Sequence, residues 1–158
     1  MQELCDLSSL AQDVAIEMSP LISEKNLDFE LDADQAWIQG HPWMIGELIS
    51  NLLNNAIRHT PQDGRLGIRI KESDSGVLLH LWDTGPGLPS DLETRVFAPF
   101  VATHSSKGGG LGLTICAEIA DSMGAILTLK NRIQSGTVVG LDATVLFKSV
   151  KRSTSSEE

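Results

Sequence analysis

Three short stretches hold residues whose types and spacing could do chemistry. The first, residues 47–61, reads ELISNLLNNAIRHTP. At about 100° per residue, Leu48, Ile49, Leu52, Leu53, Ala56 and Ile57 fall on one broad helical face. Glu47, Asn51, Asn54, Asn55 and Arg58 fall opposite. Glu47, Asn51 and Asn55 are one turn apart in succession, so they stack along one line. Asn is a mediocre helix former, because its side chain competes for backbone hydrogen bonds. A face that met only water would be better served by Glu or Lys. A carboxamide oxygen is a hard, neutral ligand that can coordinate Mg²⁺ without adding charge, while the NH₂ can donate to a phosphate oxygen. Arg58 can meet a phosphate as well. On this segment alone, a solvated face stays open as the alternative.

The second stretch, DTGPGLP at 83–89, follows the strand-like LLHLW directly. A carboxylate at a strand end, Asp83, can accept a hydrogen bond from an exocyclic amine such as adenine's. Gly85 and Gly87 let backbone pass close to a flat ring. A plain turn has the same pattern. The third stretch, KGGGLGL at 107–113, opens a helix. Glycines before a helix N-terminus expose backbone N–H groups to an anion, and the helix dipole adds to the attraction. Lys107 supplies a charge; a flexible linker is the alternative. Neither a P-loop nor a dinucleotide-binding glycine pattern occurs.

The elements that must position these residues follow from patterning. The chain has 158 residues, one domain's worth, and at 41% hydrophobic it can bury a core. It has no Tyr, and aromatics make up 4%, so aliphatic side chains must fill that core. A net charge of −9 argues against a nucleic-acid surface, so any phosphate site needs local compensation. Cys5 and Cys116 make neither a metal spacing nor a disulfide framework, and Cys116 reads as a reduced core thiol. No run approaches the ~18 apolar residues of a membrane span. The start MQELCDLSS lacks the basic and apolar regions of a signal peptide. A cytoplasmic chain making no direct membrane contact is expected, although it could be one piece of a longer membrane-anchored protein.

Leu10, Val14, Met18 and Leu21 predict a helix over 9–25. Strands are expected at 27–31 and 36–39. Pro42 suits the first turn of a helix that runs to His59. Strands at 66–71 and 77–82 are joined by a hairpin at SDSG. A short helix near 90–96 and an irregular stretch at 97–110 come next. A helix over 111–123 presents Leu111, Ile115 and Ile119 on one face and stops at Gly124. Strands at 125–130 and 137–147 are joined across NRIQSG. The polar tail, 148–158, reads as disordered. Three main helices and a mixed, mostly antiparallel sheet make a two-layer α/β (α+β) sandwich with the helices on one face. The domain is expected to span 1–147.

The three stretches, in this order, resemble the ATP-binding catalytic domain of sensor histidine kinases. These belong to the Bergerat-fold ATPases, shared with DNA gyrase and the mismatch-repair ATPases. The resemblance covers residues 6–147. NLLNNAIRHTP is similar to the family's N box, DTGPGLP to its G1 box, FAPF at 97–100 to its F box and GGGLGL to its G2 box. The resemblance implies ATP and Mg²⁺ as cofactors. It implies Asn55 as the main metal ligand, with Asn51 in support one turn earlier. Arg58 would stand on the phosphates, and His59 would stack on the nucleotide or cover it where many members have Tyr. Asp83 would accept from the adenine amine, and Gly85 and Gly87 would shape the base pocket. Residues 101–110 would be a lid, anchored by Phe97 and Phe100. Gly108, Gly110, Leu111 and Gly112 would let it fold over the triphosphate, with Lys107 as its catalytic charge. Ala102 departs from the family, where an Arg often follows the F box.

None of His41, His59, His80 and His104 is followed by the residues of a phosphoacceptor helix. The resemblance therefore implies a kinase's catalytic portion without its phosphoacceptor. It would transfer the γ-phosphoryl group to a His on a separate helical-hairpin domain, with a response regulator downstream. The fragment is expected to be a monomer and its parent a homodimer. Glu47 lies a turn too early to be the hydrolytic base of the wider superfamily, so hydrolysis by the chain alone should be slow. Two other functions fit the same boxes: a serine kinase of the anti-sigma type, and a non-catalytic ATP-sensing module.

Overall fold

The computed structural model describes residues 2–88 and 109–150, and for 109–112 the backbone only. The expected short helix near 90–96, the lid through residue 108 and the tail from 151 lie outside the described residues.

Among the described residues, ten elements follow one another. They are β1 (Glu3–Asp6), α1 (Leu7–Glu24), β2 (Asp28–Ala33), β3 (Trp37–Gly40), α2 (Pro42–His59), β4 (Arg65–Ser73), β5 (Gly76–Asp83), α3 (Gly109–Ser122), β6 (Ile126–Gln134) and β7 (Thr137–Phe147). The main sheet has the order β2-β4-β5-β7-β6. Among the described residues, only the β2–β4 pair is parallel. β1 and β3 form a separate antiparallel pair.

Helix ends follow local chemistry. Asp6 caps α1, its Oδ1 accepting from the Ser8 backbone N–H at 3.2 Å and from the Ser8 hydroxyl at 2.9 Å. Pro42 occupies the first turn of α2, where its missing N–H costs nothing. At the other end of α2, Lys25 donates through Nζ to the Ile57 carbonyl at 2.8 Å. A cation thus meets the negative end of the helix dipole. Gly124 ends α3 at φ +67°, a backbone conformation that only glycine adopts freely.

Alternation along the strands sorts the sheet's two faces. In β5, Val77, Leu79, Leu81 and Asp83 are buried, while His80 and Trp82 lie half-buried on the outer face. The inner face meets the helical layer, in which α2 packs against both α1 and α3. Leu48, Ile49, Leu53, Leu66, Ile70, Leu79 and Val145 are fully buried there. Burial of aliphatic surface supplies the main driving force, at roughly 25 cal/mol per Å².

The structure corrects four sequence readings. β1 was not expected at all. The buried face of α3 carries Leu113, Cys116, Ile119 and Ala120, and Ile115 is 38% exposed. The stripe of α1 is likewise shifted: Leu7, Ala11, Val14 and Ile22 are buried and Leu21 is not. The segment NRIQSG is mostly strand, since β6 runs on to Gln134 with an irregularity between Arg132 and Ile133, and only Ser135 and Gly136 turn the hairpin.

Candidate nucleotide site

The last turn of α2 and the loop after β5 meet at one end of the sandwich. Gly85 lies against the last residue of α2. A Cβ at Gly85 would come within 2.6 Å of the His59 carbonyl oxygen, so no other residue fits without moving backbone. His59 itself donates through Nδ1 to the carbonyl oxygen of Asn55, one turn earlier, at 2.9 Å. Asn55, His59 and the DTG turn are thereby tied into one unit.

Asn55 is the anomaly. It is 8% exposed, and its carboxamide Oδ1 is buried with no hydrogen-bond partner among the described residues. A buried acceptor left unpaired costs about 1–3 kcal/mol, and native folds rarely leave one without a use. This orphaned, neutral, hard oxygen has the chemistry of a ligand for Mg²⁺. The line Glu47, Asn51, Asn55 runs from exposed, through half-buried, to buried. Asn51 donates through Nδ2 to the Glu47 carbonyl at 2.9 Å. Arg58 is exposed on the last turn.

Asp83 is 3% exposed, one of the few buried polar side chains among the described residues. Its Oδ1 accepts from the Gly85 N–H at 2.8 Å and the Leu141 N–H at 3.3 Å. Burial pushes its pKa up; those two backbone bonds, together with the electrostatic influence of Arg132 and His59 nearby, pull it back part of the way. A buried carboxylate whose protein bonds converge on one oxygen is suited to accept a further hydrogen bond from a ligand amine. Gly87 has φ +75°, and a Cβ there would collide with the Asn131 carboxamide and come within 2.7 Å of Val138.

Three contributors were missed in the sequence. Asn131 donates through Nδ2 to the Leu88 carbonyl at 2.6 Å and accepts at Oδ1 from the Leu88 N–H at 2.7 Å. Arg132 donates through Nη2 to the Asp83 carbonyl and through Nη1 to Asp142, each at 2.5 Å. Gly140 lies beneath that guanidinium, where a Cβ would strike both Arg132 and the Asp83 carbonyl. Sequence offered one signal for these: a polar Asn-Arg pair inside a segment of strand length.

Of the remaining expected site residues, Gly110, Leu111 and Gly112 fall in the first turn of α3. Phe97, Phe100, Ala102, His104, Lys107 and Gly108 lie outside the described residues. Cys116 is fully buried, its Sγ facing the Leu48 carbonyl at 3.7 Å, and burial drives its pKa up to about 12, as a core thiol requires.

Residues 40–146 match the family described as histidine kinase-, DNA gyrase B-, and HSP90-like ATPase. The sensor protein kinase PmrB of Pseudomonas aeruginosa is 30% identical over 119 residues, 73% of this chain and 25% of that protein. The alginate biosynthesis sensor protein KinB of Pseudomonas aeruginosa is 31% identical over 135 residues, 84% of this chain and 23% of that protein. The chain thus spans about a quarter of the length of these relatives. Among solved structures, the nucleotide-free catalytic domain of the histidine kinase ThkA superposes with a TM-score of 0.83 at 27% identity, covering 95% of this chain and 99% of that one. The mycobacterial sensor histidine kinase MprB gives 0.84 at 24%, covering 96% and 100%, and shares the fold. With the match running through both the α2 asparagines and the DTGPG loop, the chain belongs to the histidine kinase-, gyrase B- and HSP90-like ATPases, as an ATP-binding catalytic domain of the sensor histidine kinase type.

Proposed function

We propose that the chain binds Mg²⁺-ATP between the last turns of α2 and the loop after β5, and presents the γ-phosphoryl group to a histidine on a separate helical-hairpin domain of its parent kinase. The observation that carries this reading is the buried Oδ1 of Asn55, without a partner among the described residues, on the helix whose end abuts the DTG turn. Asp83 accepts from the adenine amine, and Gly85 and Gly87 let the backbone follow the ring. Asn55, supported by Asn51, holds the metal, and His59 covers the nucleotide. By the family resemblance, Arg58, Lys107, Gly108, Gly110, Leu111 and Gly112 would serve the phosphates. Bound Mg²⁺ would neutralise phosphate charge, the main demand of phosphoryl transfer.

The side chains of this chain position and bind; they do not form covalent intermediates. A neutral imidazole nitrogen of the hairpin attacks the γ-phosphorus, an N–P bond forms, the bond to the bridging oxygen breaks, and ADP leaves. Any base that poises that imidazole lies beside it, on the hairpin. Glu47 is exposed and a full turn from Asn51, so water activation here is slow. No helix among the described residues is long and apolar enough to cross a membrane. The parent acts as a homodimer, with this domain on the cytoplasmic side and a response regulator downstream.

The test is transfer of label from γ-labelled ATP to the parent's hairpin domain supplied in trans. The expected result is a labelled histidine, lost in Asn55→Ala. Saturable ATP binding with no transfer would favour the sensing module, and a labelled serine on a partner protein would favour the anti-sigma type.

A further inference from the structure

Consecutive residues of β6 hold the two ends of the adenine loop. Successive strand side chains point to opposite faces of a sheet, so Asn131 and Arg132 can reach the loop from different sides. Arg132 lies on the outer face with His80 and Asp142. It crosses β7 over Gly140, whose missing side chain leaves the path open, and bonds the Asp83 carbonyl on β5. Asp142 Oδ1 fixes that guanidinium and is itself held by His80 Nε2 at 2.8 Å. Asn131 grips the other end of the loop, pairing its carboxamide with both the N–H and the carbonyl of Leu88. Gly87 passes directly beneath the same carboxamide, in a conformation with φ +75°.

We propose that Asn131, Arg132 and Gly140 form a positioning unit that pre-sets the loop from Asp83 to Leu88 for the base of the nucleotide. The proposal rests on the nucleotide reading of Asp83 given above. The unit touches no substrate atom. It fixes backbone at the first residue of the loop and at the last, so the Asp83 carboxylate and the two loop glycines keep one relative placement before ligand arrives. Pre-organisation of this kind raises affinity by removing the ordering cost from the binding step. Its signature is selective: it strengthens recognition of the base and leaves fold stability largely to the core.

The test is calorimetric titration of the chain with Mg²⁺-ATP and with Mg²⁺-inosine triphosphate, in which a carbonyl replaces the exocyclic amine. Asn131→Ala and Arg132→Lys are compared with wild type and with Asp83→Ala. Lysine's compact head cannot span the Asp83 carbonyl and Asp142 together. Both positioning variants should weaken ATP about tenfold, as expected for losing the two bonds of the carboxamide or the fork of the guanidinium. Both should also narrow the preference for ATP over inosine triphosphate, with melting temperatures close to wild type. Unchanged ATP affinity in either folded variant, or equal weakening of both nucleotides, would overturn the proposal. Should Asn131→Ala fail to fold, Arg132→Lys decides by the same criteria. If wild type shows no preference for ATP, or Asp83→Ala binds as well as wild type, the nucleotide reading itself is wrong and the positioning unit falls with it.

Discussion

Replacing Asn55 with leucine separates what the fold needs from what the site needs. Leucine shares the branched heavy-atom skeleton of asparagine, with bulkier methyls in place of the carboxamide, has a better helix propensity, and carries no acceptor. Asn55 sits in the interior of α2, 8% exposed, with Oδ1 buried and unbonded among the described residues. Leaving such an oxygen unpaired costs about 1–3 kcal/mol, and an apolar replacement of similar shape relieves it. Asn55→Leu should therefore stabilise the nucleotide-free chain. A gain of about 2 kcal/mol, at about 2–4 °C per kcal/mol for a domain of this size, raises the melting temperature by about 4–8 °C. The assay is thermal unfolding with and without Mg²⁺-ATP. Ligand at a hundred times its dissociation constant should add about 2.7 kcal/mol to wild type and little to the variant. A variant that melts well below wild type without ligand would show that Oδ1 is not an unrelieved cost, and the metal reading would lose its main support.

Gly87→Ala forces a Cβ into the Asn131 carboxamide at φ +75°. It should cost about 1–3 kcal/mol in urea unfolding and weaken ATP in titration. Burial raises the pKa of Asp83, so its contribution to stability is full below its unfolded value, near 3.8, and is lost as pH rises through the higher folded value. Asp83→Asn keeps an acceptor for Gly85 and Leu141 but no titration. Its melting temperature should therefore gain on wild type as pH rises from about 4 to 7; a constant difference would contradict the shift. Cys116, with its pKa raised to about 12, should resist alkylation at pH 8 in the folded chain and react on unfolding, which mass spectrometry reads directly.

Much of the fold was written in local punctuation. Pro42 and Gly124 mark helix ends because their backbone conformations allow little else there, and SDSG marks a hairpin because Gly76 must take φ +138°. What sequence could not show was pairing across distance. β1 has four residues, and its partner β3 begins at Trp37, so no local pattern announces it. The phase of α3 was misread because its buried face uses small side chains, Cys116 and Ala120, while the larger Ile115 lies partly in solvent. The site divides in the same way. Asn55, Asp83, Gly85 and Gly87 stood out because their types are unsuited to ordinary helix or strand. Asn131 and Arg132 did not, since a polar pair in a strand has no visible partner until β7 and β5 bring Gly140 and Asp83 beside it.

The most direct measurement of the central claim is calorimetric titration of the chain with ATP, with and without Mg²⁺, using Asn55→Ala and Asp83→Ala as comparisons. Saturable binding that needs Asp83, and whose Mg²⁺ dependence needs Asn55, is the predicted result. No binding at millimolar nucleotide, or binding indifferent to both substitutions, would contradict it.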